Sequence, residues 1–260
     1  MSSAQDTAST LQVALQSHQR GDLGRAEQLY REVLRFDPDN PDALHLLGVI
    51  SYQNGQKDAA VDLISRAISI NPGIEDFHNN LGLVLRDSGK PEAAAASFRT
   101  ALRLNPANPR GHNHLGLALQ DSGHLGEAIS CFRDALRLNP EYHAARSNLG
   151  AALQERGLFS DAVSCSREVI RAQPDYAEAH NNLACALQRM GRLEEALLSC
   201  HTAIRLKPGL AESHNNLGNV YLHQQQYDDS ITQLTKALSI QPDSAVTDTW
   251  LERFHPTPVR

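Results

Sequence analysis

The pentapeptide HNNLG at residues 78–82 comes back as HNHLG, RSNLG, HNNLA and HNNLG at residues 112, 146, 180 and 214, each start 34 residues after the last. Self-similarity at that period marks an array of helix-turn-helix units, none of which can bury its apolar face without its neighbours. The 260 residues therefore count units rather than globular domains. Function must then be sought on a surface shared by successive copies.

Extending the register gives seven units, at 7–40, 41–74, 75–108, 109–142, 143–176, 177–210 and 211–244, preceded by a disordered start over 1–6. Each closes with a proline at one fixed place: Pro38, Pro72, Pro106, Pro140, Pro174, Pro208 and Pro242. Proline stops a helix because it lacks the amide hydrogen and biases the preceding residue away from helical geometry. In the third unit Leu81, Gly82 and Leu85 mark the stripe of a first helix, and Ala94, Phe98 and Ala101 that of a second. Gly48, Gly82, Gly116, Gly150, Ala184 and Gly218 on the first helices are expected against Ala60, Ala94, Ala128, Ala162, Ala196 and Ser230 on the second. Gly21, Gly55, Gly89, Gly123, Gly157 and Gly191 fall where the chain must turn, and Gln225 breaks that series.

These Leu-Gly, Gly, Ala, aromatic, Ala and Pro places resemble the tetratricopeptide repeat over residues 7–244. The resemblance implies an all-α, right-handed superhelix of antiparallel helix pairs, its concave side lined chiefly by first helices. The ends differ from the middle. Unit one begins with the polar Gln12, Gln16, Ser17, His18 and Gln19, while Val246, Trp250, Leu251 and Phe254 have the spacing of a capping helix over 245–254. A loose tail, 255–260, follows.

First helices present Asn80, His114, Asn148, Asn182 and Asn216 at one place, preceded by Asn79, Asn113, Ser147, Asn181 and Asn215. A carboxamide offers donors and an acceptor, so it can pair with both groups of a peptide backbone. The same face continues with Leu83, Leu117, Ala151 and Cys185, then with Gln120, Gln154 and Gln188, so the groove reads as amide-rich and nearly uncharged. This asparagine ladder is similar to the superhelix of protein O-GlcNAc transferases and Spindly-type enzymes, where it holds extended protein substrates. His114 departs from the pattern, and Gln12 and Leu46 replace it in units one and two. The places where a chaperone-tail clamp needs Lys and Arg hold Asn79, Asn113, Leu83 and Leu117, which argues against that use.

Other chemistry finds little footing. With a net charge of -6 and its 24 basic residues scattered, the chain asks for neither nucleic acid nor an anionic membrane. The start MSSAQDTAST lacks a signal's basic and apolar parts, so a cytoplasmic protein is expected. Cys131, Cys165, Cys185 and Cys200 lack CxxC spacing and read as thiols. His78, His112, His180 and His214 recur one layer apart, about 8–10 Å, too far for zinc bonds of about 2.1 Å, so no metal or cofactor is expected and partial burial is. No phosphate loop, HExxH or nucleophile elbow appears, so the chain is not expected to be an enzyme. The reading is a scaffold that binds a protein or extended peptide. Its alternatives are the substrate arm of a glycosyltransferase whose catalytic part lies elsewhere, and a scaffold self-associating through its ends.

Overall fold

Apolar stripes of helical period, interrupted at fixed places by glycine and proline, fold into helical hairpins. The computed structural model describes residues 2–242, with side chains from residue 7 onward. The expected capping helix, with Val246, Trp250, Leu251 and Phe254, and the tail lie outside the described residues. Fourteen α-helices and no strand are found among the described residues. They are α1 (Ser2–Gln19), α2 (Leu23–Phe36), α3 (Pro41–Gln53), α4 (Lys57–Ile70), α5 (Glu75–Asp87), α6 (Pro91–Leu104) and α7 (Pro109–Asp121), then α8 (Leu125–Leu138), α9 (His143–Glu155), α10 (Phe159–Ala172), α11 (Ala177–Arg189), α12 (Leu193–Leu206), α13 (Ala211–His223) and α14 (Tyr227–Ile240). None is long and apolar enough to cross a membrane. Helix α1 begins at Ser2, in place of the disordered start expected for 1–6, because that segment contains no residue that stops a helix.

The chain divides into two compact units, residues 1–139 and 140–260. In the first, α1 to α8 form four hairpins, and each second helix also packs on the next first helix, as α2 on α3, α4 on α5 and α6 on α7. In the second, α9 to α14 form three hairpins joined in the same way through α10 on α11 and α12 on α13. First helices of successive layers also meet, α3 with α5, α5 with α7, α9 with α11 and α11 with α13.

Local chemistry sets the helix ends. Asn40 and Asn108 cap α3 and α7 by accepting backbone N–H groups through Oδ1, and Pro41 and Pro109 follow in the first turn. Between helices, Gly55 N–H donates to the Tyr52 carbonyl and Gln56 N–H to that of Ser51, closing a tight C-terminal turn that needs positive φ at residue 55. Six glycines take that conformation, with φ between 71° and 80°, and Gln225 takes it too, at 61°. It is the one non-glycine residue to do so among the described residues.

The hairpin cores combine small and large residues in a way that refines the sequence reading. A Cβ on Gly82 or Gly116 would come within 2.6 Å of the Phe98 or Phe132 ring, and on Gly48 or Gly218 within 2.7 Å of Ile64 or Leu234. The glycines thus make room for the bulky residue four places after each alanine of the second helix, not chiefly for the alanine. Ala60, Ala94, Ala128, Ala162 and Ala196 are fully buried, and Ser230, in the same place, donates its hydroxyl to the Gly218 carbonyl at 2.8 Å. Where the bulky place holds Ser166 or Cys200, packing is looser, and the first helix tolerates Ala184.

Candidate functional site

Asparagines on first helices brace one layer against the one before. In the first unit Asn80 Nδ2–H donates to His45 Nε2 at 2.7 Å. In the second, Asn182 Nδ2–H donates to Ser147 Oγ at 3.2 Å and Asn216 Nδ2–H to Asn181 Oδ1 at 2.9 Å. Each bond spans 35 residues, one more than the repeat, so it joins the third place of one HNNLG-register segment to the second place of its predecessor. Asn181 Oδ1 also accepts from Ser213 Oγ at 3.0 Å. A carboxamide used once as a donor still has a second N–H and its carbonyl to offer.

In the second unit these amides line an open cleft of about 670 Å³. Of the residues predicted as a groove, Gln154, Asn181, Asn182, Gln188, Asn215 and Asn216 come together there, with Asn219 as a seventh amide. Ala151, Cys185, Leu222 and Phe159 supply apolar surface. The cleft differs from the expected nearly uncharged groove, because Glu155, Arg189, Glu212 and His223 also line it. Those four sit near the ends of first helices, away from the central motif that carries the sequence signal. Burial raises the Cys185 thiol above its ordinary value, so the cleft surface there is a neutral SH.

The remaining predicted residues stand apart from this cleft. Asn148, half-buried on α9, does not line it. In the first unit Asn79, Asn80 and Leu83 lie half-buried on α5, with Asn79 Nδ2–H donating to Glu75. On α7, His114, Leu117 and Gln120 are half-buried, but Asn113 is only 4% exposed. Asn113 is therefore enclosed on α7, whereas Asn181 and Asn215 at the same place of their repeats line the cleft of the second unit. His114 lies 5.5 Å from the Phe98 ring, and burial, then Arg86 and Arg110, hold its pKa below the ordinary value. That imidazole is held in its neutral form at pH 7.

The recurrent histidines close the loops between layers. His78, His112, His180 and His214 each donate Nε2–H to the carbonyl of the proline six residues earlier, at 2.9, 3.0, 2.8 and 3.1 Å. Arg146 makes the same contact to Pro140 at 2.6 Å, which explains why RSNLG can replace HNNLG. The rings are partly buried, as expected, and these hydrogen bonds add a loop-closing role that the sequence did not show. No group of three or more His, Cys, Asp or Glu suited to a metal occurs among the described residues. All four cysteines are thiols outside any disulfide, with Cys131 raised to about 11 and Cys200 to about 12 by burial.

Comparison with known proteins places this architecture. Tetratricopeptide repeat models match residues 17–79, 115–177, 177–210 and 211–244, and a TPR repeat model matches 82–123. No curated protein matches the sequence. Among solved structures, a tetratricopeptide repeat protein from Parabacteroides merdae is similar at 20% identity and TM-score 0.77, over 95% of this chain and 98% of that one. The APC/C hetero-tetramer Cut9-Hcn1 matches at 16% identity and TM-score 0.74, over 92% of this chain, which spans 47% of that one, about half its length. YrrB, described as a TPR protein with an unusual peptide-binding site, matches at 23% identity and TM-score 0.55, over 74% of this chain and 99% of that one. At these identities the likeness is one of fold.

Proposed function

We propose that this chain, which belongs to the tetratricopeptide repeat family, is a protein-interaction scaffold whose amide-lined cleft holds an extended peptide segment. The observation that carries the reading is the convergence of seven Asn and Gln side chains on one open cleft in the second unit. Carboxamides pair with peptide N–H and C=O groups alike, so such a surface grips main chain and reads side chains loosely. The peptide-binding site named for YrrB supports peptides as the ligand class.

The cleft's composition bounds the affinity. Four or five neutral hydrogen bonds contribute on the order of 1 kcal/mol each, and association costs offset much of that sum. Those bonds alone give at best millimolar affinity, roughly 4 kcal/mol, and tighter binding has to come from apolar contact with Ala151, Cys185, Leu222 and Phe159. The cleft residues Gln188 and Asn215 make no side-chain hydrogen bond among the described residues, so replacing them spares the layer-to-layer braces.

The test selects linear peptides from a displayed library on the 260-residue protein and measures the recovered peptides by fluorescence anisotropy. Asn215→Ala with Gln188→Ala should weaken binding about tenfold, as two lost contacts of ~0.7 kcal/mol each imply, with the helical circular dichroism unchanged. Unchanged affinity in that variant overturns this cleft as the site.

A further inference from the structure

We propose that Arg189, which lies over the Phe159 ring at the edge of the cleft, takes a side-chain carboxylate of the docked peptide. This rests on the peptide-binding reading and adds a charge preference to a surface otherwise blind to sequence.

The argument starts from register. The last residue of successive first helices is Asp87, Asp121, Glu155 and then Arg189, so the sign of the charge inverts at α11. In the first unit, Asp87 is paired with Lys57 at 3.0 Å and Asp121 with Arg86 at 2.6 Å. Phe159 holds the place in its repeat that Lys57 holds in its own, so an aromatic ring stands where the ion pair would form. The Arg189 guanidinium lies 5.6 Å over that ring and forms no ion pair among the described residues. Neighbouring cations of the second unit are paired: Arg167 and Arg192 with Glu195, and Lys207 with Glu178.

A guanidinium placed over an aromatic ring, with no carboxylate of the described residues paired to it, has N–H donors available for a ligand carboxylate. The cation–π contact also restrains the side chain in advance, which lowers the entropy lost on binding. Neither of the two carboxylates lining the cleft forms an ion pair with Arg189 among the described residues. Glu155 already has a partner within the chain. Glu212 is in the first turn of α13, about 16 Å from the helix-end level of Arg189 at 1.5 Å per residue. An acidic side chain is therefore attracted at the Arg189 edge and repelled at the Glu212 edge, which orients the segment.

The experiment uses N-labelled, C-amidated nonapeptide pools of Ala, Ser, Thr and Val, identical except for Glu, Gln or Lys at the central position, titrated by anisotropy against the intact chain. The Glu pool should bind about 3- to 10-fold more tightly than the Gln pool. In Arg189→Gln the ratio of Glu-pool to Gln-pool affinity should fall to about one, and in Phe159→Leu it should be reduced. Equal Glu and Gln binding, with both weakened by Asn215→Ala and Gln188→Ala, overturns the carboxylate site and leaves the peptide cleft standing. Preference for Lys overturns it as well. Binding by none of the three pools overturns both readings.

Discussion

Adding one methyl group to two register-equivalent glycines should have opposite effects. At Gly116 a Cβ would meet Phe132 Cε1 at 2.6 Å and Cδ1 at 2.8 Å, and that ring is fully buried, so it has nowhere to retreat. Overpacking of this kind costs about 1–3 kcal/mol, and the enclosed ring argues for the upper end. Gly→Ala in a helix interior returns about 1 kcal/mol, so Gly116→Ala should lose roughly 2 kcal/mol. At Gly150 the nearest atoms are Cys165 Cβ at 3.4 Å and the Ala162 carbonyl at 3.8 Å, ordinary contact distances. Gly150→Ala should therefore gain up to about 1 kcal/mol, a spread of ~3 kcal/mol between two variants of identical chemistry. The chain carries its own control, because Ala184 faces Cys200 in the next layer. Placing Gly116→Ala in a Phe132→Cys background imitates that pair and should recover most of the penalty, a coupling of about 2 kcal/mol. A repeat array need not unfold in one step, so the readout is native-state hydrogen exchange of α7–α8 and α9–α10 amides beside the thermal midpoint. Equal effects of the two alanines, or a Gly116→Ala penalty that survives in Phe132→Cys, would refute the packing argument.

Two further perturbations probe single residues. Gln225 sits at φ 61° where its six counterparts are glycine, and a non-glycine side chain there costs about 1–2 kcal/mol, so Gln225→Gly should raise local stability of α13–α14 by ~0.5–1 kcal/mol. Gln224→Gly, at φ -86°, should lower it, and hydrogen exchange distinguishes the two; a destabilising Gln225→Gly rules out the strain. His45 is 7% exposed, and burial, partly countered by Asp42 and reinforced by His18, depresses its pKa to about 4. Asn80 donating to Nε2 at 2.7 Å also requires the neutral ring. The unfolded chain then binds the extra proton between about pH 6.5 and 4, so stability is complete above 6.5 and falls through that window, by at most ~3 kcal/mol. Urea melts across this range should show the slope in the wild type and lose it in His45→Gln; a slope that persists assigns the proton elsewhere.

The repeat was legible because its determinants compare like with like. Gly55 and Gly89 turn the chain at equivalent places, and Pro72 and Pro106 end equivalent helices, so a period of 34 exposes them directly. The bonds that organise the candidate site connect unlike places and escape that comparison. Asn216 reaches Asn181 over 35 residues, and His180 reaches the Pro174 carbonyl six residues back across a loop. Aligning the copies shows that both residues recur without showing what they touch. The charged edge was hidden for a related reason. Asp87, Asp121, Glu155 and Arg189 share a place but differ in type, so the series looks like variable surface until Phe159 is seen beneath the guanidinium.

This double employment of the amides decides how binding can be tested. Asn182 and Asn216 each spend one N–H on the preceding layer, at 3.2 and 2.9 Å, before any ligand arrives. Replacing Asn182 with alanine strands Ser147 Oγ, and replacing Asn216 leaves Asn181 Oδ1 with Ser213 Oγ alone, each in a half-buried setting, with a cost of up to about 1 kcal/mol that falls on the stacking of layers as well as on the cleft. Lost binding in such a variant would not separate a missing contact from a displaced helix. Asn215 and Gln188 line the same cleft without bracing anything among the described residues, so only their removal isolates the ligand's contribution. The bracing also has a functional consequence: amides already fixed by one bond present their remaining N–H and carbonyl in a set direction, which reduces the ordering cost when a peptide backbone pairs with them.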